Sequence, residues 1–226
     1  ASAVGQAICA EVARRAAGRD AGFVAALATV GAADAPRVRD VTVARLLEPT
    51  GSPGARFYTC SPYVGCLIGC RFCYAQSRLA PLRSATGLPP APWGSWVDVR
   101  TNAAAVLADE LARLPPRPIK FCPIVSDPYH AIEATRGLTR ACLAVLAAAA
   151  APPPVLLLTR AALVTRDVDL LAALPWAAVG VSLPTVDDDV RAHFEPRAAS
   201  IPARLATLAT LRAAGVRTIA VVQPML

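Results

Sequence analysis

Residues 61–74 read SPYVGCLIGCRFCY, and this stretch decides the reading of the whole chain. It sets Cys66, Cys70 and Cys73 in a C-x3-C-x2-C spacing. Three thiolates that close suit three irons of a cubane [4Fe–4S] cluster and leave the fourth iron without a protein ligand, open to a small molecule. Gly65 and Gly69 each precede a ligand cysteine, where a bare backbone lets the loop curl around a bulky inorganic core. A structural zinc site is the plainer use of clustered cysteines. Zinc takes four ligands, however, and no nearby residue completes a familiar zinc spacing. Cys60, the nearest thiol, lies on the strand side of Pro62.

Outward from this loop the pattern is that of alternating elements. Arg56 to Thr59 reads as a strand feeding the cysteines, and residues 79–96, rich in proline and glycine and holding Trp93 and Trp96, read as an ordered loop. Helices over Asn102–Leu114, Leu138–Ala149, Val168–Ala173 and Pro202–Ala214 precede strands over Ile119–Val125, Val155–Thr159, Ala178–Ser182 and Arg217–Gln223. Apolar strands alternating with amphipathic helices predict an α/β fold with a parallel sheet wrapped by helices. Several strand ends carry polar residues: Ser126-Asp127, Arg160 and Ser182. Each has an ordinary use: turn residues before Pro128, a solvated charge, a lone hydroxyl. Asp187-Asp188-Asp189 reads most simply as a helix cap. His193 reads as a packing residue, and His130 stands nearer the strand ends.

The fuller string PYVGCLIGCRFCYA resembles the signature of the radical S-adenosylmethionine (SAM) enzymes, in the branch that contains spore photoproduct lyase. The resemblance implies a partial (β/α)6 barrel over residues 51–226, with ligands at the carboxyl ends of its strands. It implies a [4Fe–4S] cluster on Cys66, Cys70 and Cys73, and S-adenosyl-L-methionine contacted by Tyr74, Ser126, Asp127, Arg160 and Ser182. Arg160 departs from the lysine usual in these relatives, and its planar fork reaches differently. Glu195-Pro196-Arg197 resembles a family segment whose charges help hold the cofactor; a surface ion pair is the alternative. The resemblance further implies reductive cleavage of SAM to a 5′-deoxyadenosyl radical, hydrogen abstraction from a substrate, and an electron donor such as a flavodoxin or ferredoxin. A small-molecule or peptide substrate is favoured over DNA photoproduct repair. A non-catalytic metal-binding interaction protein is the reading from another class. Cys122, on the strand before Ser126, is the catalytic candidate as hydrogen-atom donor. It stands two positions before the family's donor cysteine, a displacement of about 6–7 Å along a strand.

Composition bounds the rest. With 226 residues, 55% of them hydrophobic, the chain has room for one large domain with a sizeable core. A net charge of +7 suits an anionic partner, but the arginines are scattered and form no basic strip. Seven cysteines, three of them clustered, favour a metal site in a reducing compartment, the cytoplasm by default, over a disulfide framework. The apolar run Ala141–Leu158 is broken by Pro152-Pro153-Pro154, so no membrane span is expected. Residues 1–50 read as an N-terminal helical extension with helices over Ala7–Ala17 and Gly22–Val30; Cys9 within it and Cys142 are expected to serve packing. Five barrel strands are countable before the sequence stops at Leu226. Either the sixth strand and the C-terminal end of the barrel are expected beyond it, the reading favoured because a raw edge strand would be exposed, or another chain closes the barrel.

Overall fold

A computed structural model describes residues 36–53, 56–121 and 124–226. The main sheet has six strands in the order β2-β3-β6-β7-β8-β9. These are β2 (Leu47–Thr50), β3 (Phe57–Cys60), β6 (Ile119–Phe121), β7 (Val155–Thr159), β8 (Ala177–Ser182) and β9 (Arg217–Val221). The last five run parallel, and β2 lies antiparallel on the outer side of β3. The five parallel strands are those expected from the sequence. All six residues of β8 are buried, as expected of a strand covered on both faces.

The helices supply that cover. They are α1 (Ala75–Ala85), α2 (Ala103–Arg113), α3 (Glu133–Arg136), α4 (Leu138–Ala147), α5 (Val168–Ala173), α6 (Asp188–Phe194) and α7 (Ile201–Ala213). In α4 the buried stripe is Thr139, Cys142, Leu143 and Leu146, at the spacing one helical face requires. Cys142 is thus the packing residue expected of it. α2 turns Ala103, Leu107 and Glu110 inward. Glu110 is spared the cost of burial because its carboxylate accepts the backbone N–H groups of Leu46 (3.1 Å) and Leu47 (2.8 Å), anchoring the start of β2. α6 starts at Asp187, whose carboxylate accepts from Asp189 N and Val190 N, so the aspartate run does cap a helix.

Three expectations differ from what is found. Both helices read in the first 50 residues lie outside the described residues, and the described end of that segment forms strands: β1 (Arg37–Val41) and β2. Residues 79–96 are not all loop. α1 runs through Pro81 to Ala85, and β5 (Trp96–Arg100) begins at Trp96. Pro81 costs one intrahelical hydrogen bond, but Leu79 before it and Arg83 after it are buried and hold the helix to the core. The strand read over Ile119–Val125 is described as strand only to Phe121; Ile124 and Val125 form a turn and a bend, and Ser126 lies in irregular chain past them. Period-two alternation therefore does not reach from Cys122, which is outside the described residues, to Ser126.

A second, smaller sheet braces the cysteine loop. β5 pairs in parallel with β1 and antiparallel with β4 (Tyr63–Val64), the two residues just before Gly65.

Candidate functional site at the strand ends

The cysteine loop is shaped by its two glycines. Gly65 and Gly69 take φ values of +85° and +68°, a region L-residues with side chains rarely adopt. A Cβ on Gly65 would meet the Trp96 ring at 2.6 Å and its carbonyl at 2.7 Å, so no side chain fits there. Gly65 N donates to Val125 O at 3.0 Å, tying the loop to the turn that follows β6. Arg71 N donates to Phe194 O at 2.8 Å, tying it to the end of α6.

Cys66, Cys70 and Cys73 all line one cavity of about 600 Å³, within the size range of small-molecule sites. Tyr74, Ser126, Asp127, Arg160 and Ser182 line the same cavity. The cysteine spacing and the strand-end residues thus converge. Burial pushes the thiols up from their ordinary range: Cys66 to about 12, and Cys70 and Cys73 upward as well, with the Arg160 guanidinium pulling the latter two back. Among the described residues no three His, Cys, Asp or Glu side chains converge on a single ion.

The polar residues differ in how free they are. Asp127 is buried, which pushes its carboxyl up from the ordinary range, while three donors pull it back. Those donors are Thr159 Oγ1 (2.7 Å), Tyr129 N (2.8 Å) and Arg160 N (2.8 Å). A carboxylate offers about four acceptor positions, so Asp127 joins the ends of β6 and β7 and retains little capacity for a ligand. Among the described residues Ser126 Oγ makes one long contact, 3.4 Å to Asp127 O. Tyr74 is exposed at the mouth, with the Arg78 guanidinium 5.7 Å from its ring centroid.

Arg160 is held from behind. Its Nε donates to Glu195 Oε1 at 2.5 Å, and Glu195 Oε2 accepts from Arg204 Nη2 at 2.6 Å. Glu195 and Arg204 are fully buried, so the Glu-Pro-Arg segment forms no surface ion pair. Arg204 also donates to the carbonyl of Ser182 at 2.8 Å. One buried network therefore connects two cavity residues on neighbouring strands. Arg204 was missed in the sequence, although an arginine three residues after Ile201 on an apolar helical face signals a buried carboxylate partner. Phe72, Trp93, Leu158, Val221 and Gln223 also line the cavity and were not anticipated there.

His130 and His193 lie outside this cavity's lining. His130 is buried, its Nδ1 3.5 Å from the Leu67 N–H, and burial pushes its imidazole down to about 3. The unfolded chain binds this proton near pH 6.5, whereas the folded one does not. Stability is then complete above that pH and falls below it, by up to about 1.4 kcal/mol per pH unit. Chemical denaturation between about pH 7 and pH 5 is expected to show this slope, and His130→Phe to flatten it.

Comparison with known proteins agrees with this geometry. The family model of the radical SAM superfamily matches residues 60–226. An uncharacterized protein of Methanocaldococcus jannaschii is 29% identical over 180 residues, 80% of this chain and 64% of that protein. An uncharacterized protein of Mycobacterium bovis is 32% identical over 173 residues, 75% of this chain and 49% of that protein. The chain therefore spans about half to two thirds of the length of these relatives. Among solved structures, spore photoproduct lyase complexed with dinucleoside spore photoproduct superposes with a TM-score of 0.58 at 21% identity, over 84% of this chain and 52% of that one. A mutant of that enzyme with bound AdoMet and the dinucleoside superposes with a TM-score of 0.59 at 20% identity, over 83% and 50%. These likenesses show a shared fold. With the cysteine loop at the strand ends and the family match over most of its length, the chain belongs to the radical SAM superfamily.

Proposed function

We propose that this chain is the cofactor-binding core of a radical SAM enzyme, with Cys66, Cys70 and Cys73 as the ligands of a [4Fe–4S] cluster. The observation that carries the reading is the convergence of those three thiols with Ser126, Arg160 and Ser182 on one cavity. Cys66, Cys70 and Cys73 would hold the cluster, which when bound would supply the one electron needed for reductive cleavage of S-adenosylmethionine to methionine and a 5′-deoxyadenosyl radical able to take a hydrogen atom from a substrate.

The chain's own residues have distinct parts in this. Two guanidiniums, Arg160 and Arg204, share the single carboxylate of Glu195. The group keeps one positive charge in excess, and Arg160 presents it to the cavity, which suits the carboxylate of SAM. Ser126 and Ser182 offer hydroxyls to the cofactor, and Asp127 fixes the strand ends that carry Ser126 and Arg160. Phe72, Leu158 and Val221 keep water from the reacting centre.

Cys122 remains our candidate hydrogen-atom donor. An electron donor such as a flavodoxin or ferredoxin is the expected partner, and a small molecule or peptide the expected substrate. DNA photoproduct repair draws support only from the fold. Cys60, Cys66, Cys70, Cys73 and Cys142 are free thiols, which suits a reducing compartment such as the cytoplasm. No helix among the described residues is long and apolar enough to cross a membrane.

The test is anaerobic reconstitution with iron and sulfide, reduction with dithionite, and addition of SAM. The expected product is 5′-deoxyadenosine; uptake of zinc alone, with no iron, would overturn the proposal. Once a substrate is in hand, an unchanged product distribution in Cys122→Ala removes that residue's donor role.

A further inference from the structure

The cysteine loop and the helix that leaves it lie in the longest stretch of this chain without a carboxylate. From Pro49 to Val97 there is no Asp or Glu, while Arg56, Arg71, Arg78 and Arg83 fall within it. α1 turns Ala75, Leu79 and Arg83 inward. Tyr74 at its start, Arg78 and Leu82 follow at intervals of four and so share a face. Tyr74 is 53% and Leu82 55% exposed, and Arg78 and Pro81 are exposed beside them. Aromatic and arginine side chains without Asp, Glu or Lys are the composition of a protein–protein contact.

Two further arginines flank the loop. Arg71 lies within it. Arg197, exposed, donates from Nη2 to Gly94 O at 2.6 Å, and a Cβ on Gly94 would stand 2.9 Å from the Cα of Gly69 in the loop. Among the described residues Arg71, Arg78 and Arg197 form no ion pair. The carboxylates that act on the cysteine thiols, Asp127 and Glu195, are buried and engaged by their own donors. The first turn of α1 holds no acidic residue either, so the positive end of its dipole adds to the same field. This positive face starts at the most accessible of the three cysteines: Cys73 directly precedes Tyr74 and is half-buried, whereas Cys66 and Cys70 are buried.

We propose that the Tyr74, Arg78 and Leu82 face of α1, with Arg71 and Arg197 beside it, is the docking surface for a small acidic electron-transfer protein that reduces the cluster. The inference rests on the cluster reading above and gives the reductant a place. One electron is lost by the donor's reduced cofactor and gained by the cluster, with no bond made or broken. Redox encounters of this kind bury less than about 1,200 Å², which one short helix face can supply, and opposite charges steer them. A nucleic acid would ask for a longer row of phosphate contacts than Arg71, Arg78 and Arg197 provide.

The probe is a flavodoxin of net negative charge, offered to the reconstituted chain. Its binding is expected to weaken as salt is raised, and Arg78→Glu with Leu82→Asp to weaken it at least about 10-fold. Anaerobic bleaching of the cluster absorbance then gives the rate of reduction. With subsaturating reduced flavodoxin the double variant is expected to lag the parent by the same factor. With dithionite it is expected to keep close to the parent rate, because so small an ion needs no docking face. Equal flavodoxin binding by parent and variant overturns the proposal, and so does an equal loss of rate with dithionite. Duplex DNA binding lost in the variant while flavodoxin binding stays unchanged overturns it in favour of a nucleic-acid surface. A footprint needs no variant: hydrogen exchange of the parent is expected to slow across residues 71–86 when flavodoxin is added. Protection confined to other segments overturns the proposal even if the double variant fails to fold. A parent that dithionite reduces and flavodoxin does not bind overturns this inference alone. A parent that takes up no cluster shows it in its absorbance before any donor is added, and the cluster reading then falls together with this one.

Discussion

Cys70→Ala is expected to lower cluster incorporation by more than about 100-fold and to bring 5′-deoxyadenosine formation down with it. Loss of a residue that only supports a ligand typically costs about 10–100-fold in metal affinity, and Cys70 is assigned as a ligand itself. It sits at the middle of the loop, 5% exposed, and Gly69 before it is pressed against Gly94. The loop has little room to recruit a substitute. Cys60 is the neighbouring thiol, but it closes β3 and is buried in the main core, in a different apolar group from Cys66 and Cys70. The matched control is Cys142→Ala. That change removes a sulfur from the same core, at a cost of about 1 kcal/mol of stability for the small void, and is expected to leave iron and sulfide content unaltered. Iron and sulfide analysis on both variants decides the matter. Full incorporation in Cys70→Ala would show that the cluster is held some other way.

The contrast between these two cysteines marks what the sequence could reveal. Spacing singled out Cys66, Cys70 and Cys73, which the fold gathers on one cavity, because three residues on one short loop write their proximity into the chain order. The strand-end rule found Ser126, Asp127, Arg160 and Ser182, since each follows a recognisable apolar run. The rule placed Asp127 but not its use, because Thr159 and the backbone N–H groups of Tyr129 and Arg160, which engage its carboxylate, come from packing β7 beside β6. β4 has two residues and leaves no alternation to detect, so the small sheet that braces the loop was invisible. Pro81 announces a break that burial of Leu79 and Arg83 overrides. Trp93 reaches the cysteines across more than twenty residues of sequence, through a contact between two glycines that no periodicity encodes.

Glu195→Gln is expected to cost about 3–5 kcal/mol of folding stability, the penalty for breaking a buried ion pair and stranding its partner. Here it strands two. Arg204 is wholly buried, Arg160 is 14% exposed, and Glu195 serves both. Arg160→Gln leaves Glu195 and Arg204 as a balanced pair and is expected to cost distinctly less. Ligand binding should rank the variants the other way. A hydrogen bond to a charged group is worth about 1.5–3 kcal/mol, so Arg160→Gln is expected to weaken SAM binding about 10–150-fold while the fold survives. Denaturation of both variants, alongside SAM titration of the reconstituted chain, checks the two orders. Equal stability of Glu195→Gln and the parent would mean that the buried arginines need no counter-charge, and the excess-charge account of the cavity would fail. The same geometry explains why arginine stands at position 160. Its Nε is committed to Glu195, and the fork still leaves two nitrogens for the cavity. A lysine has one nitrogen for both tasks. Arg160→Lys should therefore lose either the grip on Glu195, seen as lower stability, or the ligand contact, seen as weaker SAM binding, and it cannot retain both.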